Sequence, residues 1–358
     1  MSYHQNDYNN GYAPPNYPPP GQYQQPPIMR GDQPQQGYQQ LGYQQLGYQQ
    51  QGYQQRAPRR KALLIGINYI NTKNQLRGCI NDVSNMYAFL TSQYGYSPAD
   101  IVRLTDDQQN TASVPTFANM IRAMQWLVKD AQLGDTLFFH YSGHGGQTED
   151  LDGDEENGFD ETIMPVDFQT QGVITDDVMN NIMVKPLQAG VKMTALFDSC
   201  HSGTALDLPY TYSTKGLIKE PSVLKDAGQD GLEVAMAYAT GNRAKLMNSL
   251  GTLVSTVSSG VKNNNSANRA TIQQQKSSPA DIIMLSGSKD NQTSADAVEN
   301  GNATGAMSYA FIKVLSYQPQ QSYLTMLQCM RNELAGKYSQ KPQLSASHPI
   351  DVNQQLII

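Results

Sequence analysis

The stretch Thr194–Gly203, TALFDSCHSG, reads as a buried strand that stops at a cysteine. Leu196 and Phe197 are apolar and carry strand propensity, whereas Asp198, Ser199, His201, Ser202 and Gly203 make a sharp polar turn. Cys200 is thereby placed at a strand's carboxyl end, the edge where open α/β sheets gather their ligand-binding loops. A second stretch of the same design, TLFFHYSGHGG at Thr136–Gly146, sets His144 in a glycine-rich loop at the end of another strand. Glycines there permit close approach of backbone and substrate.

A cysteine and a histidine so placed suggest nucleophilic catalysis. A free thiol is only a few per cent thiolate at neutral pH, so a cysteine nucleophile needs an imidazole to take its proton. His144 suits that role and could then protonate a leaving amine. Attack on a carbonyl builds an oxyanion, which calls for unobstructed backbone N–H donors, and Gly145 and the amide of Cys200 are the candidates. The polar, glycine-flanked setting of Cys200 weighs against a buried structural thiol. His201 is the weaker alternative base, and His140, inside its strand, reads as a core or supporting residue. The separation of His144 from Cys200 is near the roughly 50 residues typical of caspase-type cysteine proteases.

Four stretches make the likeness specific: KALLIGINY at Lys61–Tyr69, GCINDV at Gly78–Val83, HYSGHGG at His140–Gly146 and DSCHSG at Asp198–Gly203. GFDETIMPVD at Gly158–Asp167 and MLSGSKDNQTSAD at Met284–Asp296 agree with them. From about Ala57 onward the chain resembles the metacaspases, caspase-related enzymes of fungi, plants and protists, and most of all their type I members in yeasts. The resemblance implies an α/β, caspase-like fold, a single mostly parallel sheet sandwiched by helices. It further implies a Ca²⁺-stimulated, self-processed cysteine endopeptidase cutting after Arg or Lys. Cys79, Asp82, Ser142 and Asp198 would line the substrate pocket. Acids suit a cationic side chain, with a bidentate carboxylate favouring Arg; the plainer reading of Asp82 is a helix N-terminal acid. The ion would lie among Asp160, Asp176, Asp177 and Asp207. Regulated cell death under stress and clearance of aggregates would be the biology, and a monomer the expected state.

The rest of the chain divides by composition. Residues 1–57 form a low-complexity prodomain in which the pentad [Gln or Leu]-Gly-Tyr-Gln-Gln repeats four times from Gln36 to Gln55. So few aliphatics cannot offset a backbone entropy of roughly 1–2 kcal/mol per residue, so a disordered tail is expected. Tyr among Gln is also the pattern of self-associating segments. A scaffolding protein that binds aggregates or chaperones through this tail is the alternative to a protease. Arg56, Arg59, Arg60 and Lys61 then make a basic junction, read as a solvated linker with a nuclear signal as the other reading. The net charge of −6 argues against a nucleic-acid surface. Cys79, Cys200 and Cys329, an odd and sparse set, fit reduced thiols. With no apolar h-region or spanning run, the expectation is no membrane and a cytoplasmic, alternatively nuclear, location.

In the peptidase domain, residues 58–358, strands are expected at Lys61–Asn68, Ile101–Leu104, Thr136–Tyr141, Met193–Phe197, Glu233–Tyr238 and Asp281–Leu285. Helices are expected at Ile80–Tyr94 and Val114–Ala131. A large part (58–250) and a small part (281–358) flank an Asn-, Ser- and Gln-rich segment, 251–280, too long for an ordinary connection. By resemblance it is the self-processing loop, with Lys262, Arg269 and Lys276 as candidate cleavage points, although no basic residue stands near Ser255. The acidic run Glu149–Glu161 puts Asp150, Asp152, Asp154 and Glu161 at EF-hand positions. Glu155 stands where that loop needs Gly, however, and a strand precedes it, so an EF-hand is rejected. Cys79, His144, Cys200 and His201 lack the paired spacing of a zinc site.

Overall fold

A computed structural model describes residues 56–150, 155, 158–200, 202–218, 276–288, 297–299, 302–338 and 340–358. By contacts the chain divides into Met1–Gln55 and Arg56–Ile358, and everything below concerns the second unit. Its sheet has seven strands: β1 (Arg60–Gly66), β2 (Ile101–Thr105), β3 (Thr136–Ser142), β7 (Lys192–Asp198), β8 (Tyr210–Tyr212), β9 (Asp281–Ser288) and β12 (Lys341–Ala346). Their order is β2-β1-β3-β7-β9-β12-β8. The pairs from β2 through β9 are parallel, and β12 and β8 join antiparallel at one edge.

Strand sequence explains the layering. In β1 and β3 nearly every side chain is buried, the signature of a parallel strand covered on both faces. Ala62 and Leu64 join one core with Phe138, Leu196 and Leu285; Leu63 and Ile65 join the other with Phe139, Phe197 and Met284. The first face is covered by α1 (Cys79–Gln93), α5 (Ala306–Tyr317) and α6 (Tyr323–Leu334). The second is covered by α2 (Phe117–Val128) and α4 (Asp176–Met183); a short α3 (Phe168–Gln171) lies between. The mostly parallel, helix-sandwiched sheet is therefore as expected. No helix among the described residues is long and apolar enough to cross a membrane.

Several local readings differ. The glycines after His144 do not form a loop but open β4 (Gly145–Glu149), which pairs antiparallel with β5 (Phe159–Ile163), itself paired with β6 (Ile174–Thr175). Of the acidic run, Glu149 closes β4 and Asp160 and Glu161 lie in β5, while residues 151–154, 156 and 157 lie outside the described residues. A small pair, β10 (Ala297–Glu299) and β11 (Asn302–Thr304), precedes α5. Arg56 is no solvated linker: its guanidinium donates to both oxygens of the buried Asp135. Asp135 also accepts from the amides of Arg59 and Gln132, so the junction belongs to the fold. The expected strand 233–238 lies outside the described residues.

Candidate active site

Register brings the two motifs together. β3 and β7 run parallel with Ser142 opposite Asp198, so His144 and Cys200, each two residues further on, leave the sheet side by side. The contact between the loops is tight: a Cβ on Gly145 would overlap the Cys200 carbonyl oxygen and touch Ser199. Only a residue without a side chain fits there.

His144 is held from several directions. Its backbone N–H donates to the Tyr69 hydroxyl at 3.1 Å, its carbonyl accepts from the Tyr141 hydroxyl at 2.6 Å, and its ring lies 4.6 Å from that of Tyr69. Nε2 lies 2.7 Å from the Asn74 carbonyl oxygen. A carbonyl can only accept, so Nε2 carries the proton and Nδ1 of the neutral ring keeps a lone pair. The Met164 amide donates to the His144 carbonyl, making that pair hydrogen-bonded. Gly145, one residue on, is therefore at a non-hydrogen-bonded position, and its N–H faces away from β5. Burial pushes the Tyr141 and Tyr69 hydroxyls above the ordinary phenol range, so both remain protonated donors.

Beneath this pair lie two buried carboxyls. Asp82, on α1, accepts from Ser142 at 2.7 Å, Thr304 at 2.5 Å and the Gly305 amide at 2.9 Å to each oxygen. Asp198, at the end of β7, accepts on Oδ2 from the Ser308 amide at 2.7 Å. Burial, and then the charge of Asp198, push Asp82 up to about 8; burial likewise raises Asp198. Cys79, one turn before Asp82, is buried, and its backbone N–H donates to Asn68 Oδ1 at 3.0 Å. Of the pocket residues expected from sequence, Asp82, Ser142 and Asp198 are thus assembled. Thr304, Gly305 and Ser308 carried no recognisable signal, being small residues more than a hundred positions from the acids they bond.

The four Asp expected to hold an ion come from three segments. Asp160 lies on β5, Asp176 and Asp177 begin α4, and Asp207 sits at φ 51° in the turn after β7. Asp176 accepts from the Glu161 and Asp177 amides. Burial, with neighbouring acids adding, raises Asp176 to about 8 and Asp207 to about 9. Lys276, one of the candidate cleavage points, places its ammonium 2.6 Å from Asp207 and 3.0 Å from Glu155. Lys262, Arg269 and His201 lie outside the described residues. His140 is buried and bonded through Nε2 to Ser308 at 2.9 Å, a supporting residue as expected.

Comparison with known proteins gives the family. Residues 60–209 match the family model "Metacaspase, peptidase C14 domain". Metacaspase-1 of Saccharomyces cerevisiae is 71% identical over 300 residues, 84% of this chain and 69% of the relative. The chain belongs to the metacaspase family. Metacaspase-1 of Ajellomyces capsulatus is 54% identical over 97% of this chain and 94% of its own. A Geobacter sulfurreducens protein of known crystal structure shares the fold at TM-score 0.50 and 24% identity, covering 83% of this chain and 97% of that one. This metacaspase is accordingly a cysteine-type peptidase with a caspase-like fold, acting on protein substrates.

Proposed function

We propose that this metacaspase is an endopeptidase that cuts after Arg or Lys, is stimulated by Ca²⁺ and processes itself. The observation that carries the specificity is the buried acid pair Asp82 and Asp198 beneath the His144 and Cys200 loops. Among the described residues no basic side chain is bonded to either carboxyl, and a guanidinium or ammonium brought to the pair would favour its ionised form where an acidic side chain would oppose it.

In the reaction, His144 Nδ1 takes the proton of the Cys200 thiol as Sγ attacks the scissile carbonyl. The Gly145 and Cys200 amides receive the oxyanion. His144 then gives the proton to the departing amine, the C–N bond breaks, and water hydrolyses the thioester to free Cys200. The Asn74 carbonyl, through Nε2, holds the imidazole in the tautomer this sequence requires.

Asp160, Asp176, Asp177 and Asp207 offer the hard oxygens a calcium ion takes; no three such side chains among the described residues are gathered closely enough to hold a metal, and the Lys276 ammonium stands 2.6 Å from Asp207. Bound there, Ca²⁺ would neutralise the buried acids and tie β5 and α4 to the turn that follows Cys200. Self-processing is assigned to segment 251–280, and roles in stress-linked cell death and aggregate clearance to the whole chain, in the cytoplasm or nucleus. Hydrolysis of paired peptides with Arg or Asp before the scissile bond, with Ca²⁺ or chelator, tests the reading. Arg cleavage that needs Ca²⁺ is expected; preference for Asp overturns the pocket, and indifference to chelator removes the ion.

A further inference from the structure

Three parallel strands end at the same edge of the sheet, with Gly66 of β1 opposite both Thr105 of β2 and Ser142 of β3. The residues just past those ends are neighbours, and Asp106 is one of them. Its carboxylate accepts from two backbone amides, Asn68 N–H at 2.8 Å on Oδ1 and Ile70 N–H at 3.0 Å on Oδ2. Those amides flank Tyr69, which holds φ 52°, in the left-handed region that residues with a Cβ rarely enter. A residue stays there only when its surroundings fix it. A carboxylate gripping the amides on either side does so.

From Tyr69 two chains of hydrogen bonds lead to His144. Through the side chain, the buried hydroxyl accepts from His144 N–H at 3.1 Å and donates to the Met164 carbonyl at 2.6 Å, with the Tyr69 and His144 rings 4.6 Å apart. Through the backbone, the Tyr69 carbonyl accepts from the Thr72 amide at 3.1 Å and the Thr72 hydroxyl at 2.8 Å. That hydroxyl accepts from Asn74 N–H at 3.2 Å, and the Asn74 carbonyl accepts from His144 Nε2 at 2.7 Å. The Leu76 amide closes the loop on the Asn68 carbonyl at 2.7 Å. The place of the imidazole and its tautomer therefore both depend on one loop, which Asp106 anchors from a neighbouring strand.

We propose that residues 68–76 are a single positioning loop for the base, and that Asp106 is the positioning residue that anchors it. Asp106 acts on His144 through Tyr69 and Asn74. An ionised carboxylate can serve two amides at once, one on each oxygen; an Asn in its place serves only one, because its NH₂ group donates. The proposal rests on the reading of His144 as the base and says what holds that base beside Cys200.

The test uses the full chain with Ca²⁺ and compares Asp106→Asn, Asp106→Ala, Tyr69→Phe, the double variant Asp106→Asn with Tyr69→Phe, and His144→Ala. For each, kcat and KM are measured on an Arg peptide. The pH profile of alkylation by iodoacetamide is followed by mass spectrometry of the Cys200 peptide, a readout independent of which substrate is preferred, and thermal melting reports the fold. Asp106→Ala is expected to lower kcat about 30-fold with KM within about twofold, because a displaced base leaves the substrate pocket in place. Asp106→Asn, keeping one acceptor, falls between Asp106→Ala and wild type. Both move the midpoint of the alkylation profile upward toward that of a free thiol, a shift that lost stability alone does not give. Tyr69→Phe removes the acceptor for His144 N–H, keeps the ring, and is expected to cost about 10-fold in kcat. The double variant should lose less than the product of the single losses, as residues acting in one chain do. Should Asp106→Ala not fold, Asp106→Asn and the double variant decide. Wild-type kcat and alkylation midpoint in a folded Asp106→Asn, or losses that multiply in the double variant, overturn the proposal while the base stands. His144→Ala with wild-type peptidase activity and alkylation overturns the reading of the base, and the proposal with it.

Discussion

Two acid clusters flank Cys200, and they are neutralised differently. Asp82 and Asp198 are held by hydroxyls and amides, all neutral. Asp176 and Asp207 share their region with Glu155, Asp160 and the ammonium of Lys276. Burial drives Asp82 and Asp176 to a similar height, about 8, so desolvation alone does not distinguish the clusters. The donors do. In the first cluster neutral, directional hydrogen bonds fix the carboxyls in place. In the second cluster an ammonium, that of Lys276, pairs with Asp207 and Glu155.

The comparison breaks most sharply at Asp198. Asp198→Asn is expected to reduce kcat/KM on Arg peptides about 100-fold or more, while Ca²⁺ binding measured by calorimetry stays at the wild-type affinity. Loss of both would make the clusters one site.

Lys276→Met should act in the opposite region. Removing the resident ammonium is expected to tighten Ca²⁺ binding about 10-fold by calorimetry, some 1.4 kcal/mol. It should also lower the melting temperature in chelator, because buried carboxylates lose their partner. Unchanged affinity would show that the ammonium does not compete.

The pH dependences should separate the clusters further. An acid raised from 3.8 to about 8 is protonated in the folded state and ionised in the unfolded one between those values. The folded state binds more protons there, so stability falls as pH rises through that window. Ca²⁺ should reverse this loss in melts near pH 8 and above, since a cation favours the ionised form. For the substrate pocket the same sign makes 1/KM for Arg, relative to norleucine, climb as pH passes about 8. A flat ratio would mean the pair is already ionised before substrate arrives.

The smallest effect is expected at Ser142→Ala. It removes one of several donors to Asp82, worth about 1 kcal/mol, with a fall of a few degrees in melting temperature. KM for Arg should change little, because Thr304 and the Gly305 amide still hold Asp82.

Much of the site was legible because it is local. Apolar runs ending in glycine and polar turns marked β3 and β7, and parallel register then delivered His144 beside Cys200. Asp82, Ser142 and Asp198 lie within or beside the same motifs. Other parts gave no such signal. β12, KPQLSA, carries a proline and polar residues and is a strand because β9 and β8 pair with it. Arg56 reads as linker until the buried Asp135 is seen to hold it.

By itself, then, the order of residues determined the α/β layering, the strand ends that carry His144 and Cys200, and the acidic character of both clusters. Each follows from a periodicity or turn chemistry acting over a few residues. Tertiary structure alone decided which neutral groups hold Asp82 and Asp198, and that Lys276 stands among the carboxylates. Thr304 and Asp82 are 222 positions apart, Lys276 and Glu155 121. Small polar residues and a single lysine have no pattern that names such distant partners. Only burial, by removing water from the acids, makes their hydrogen bonds and ion pairs matter.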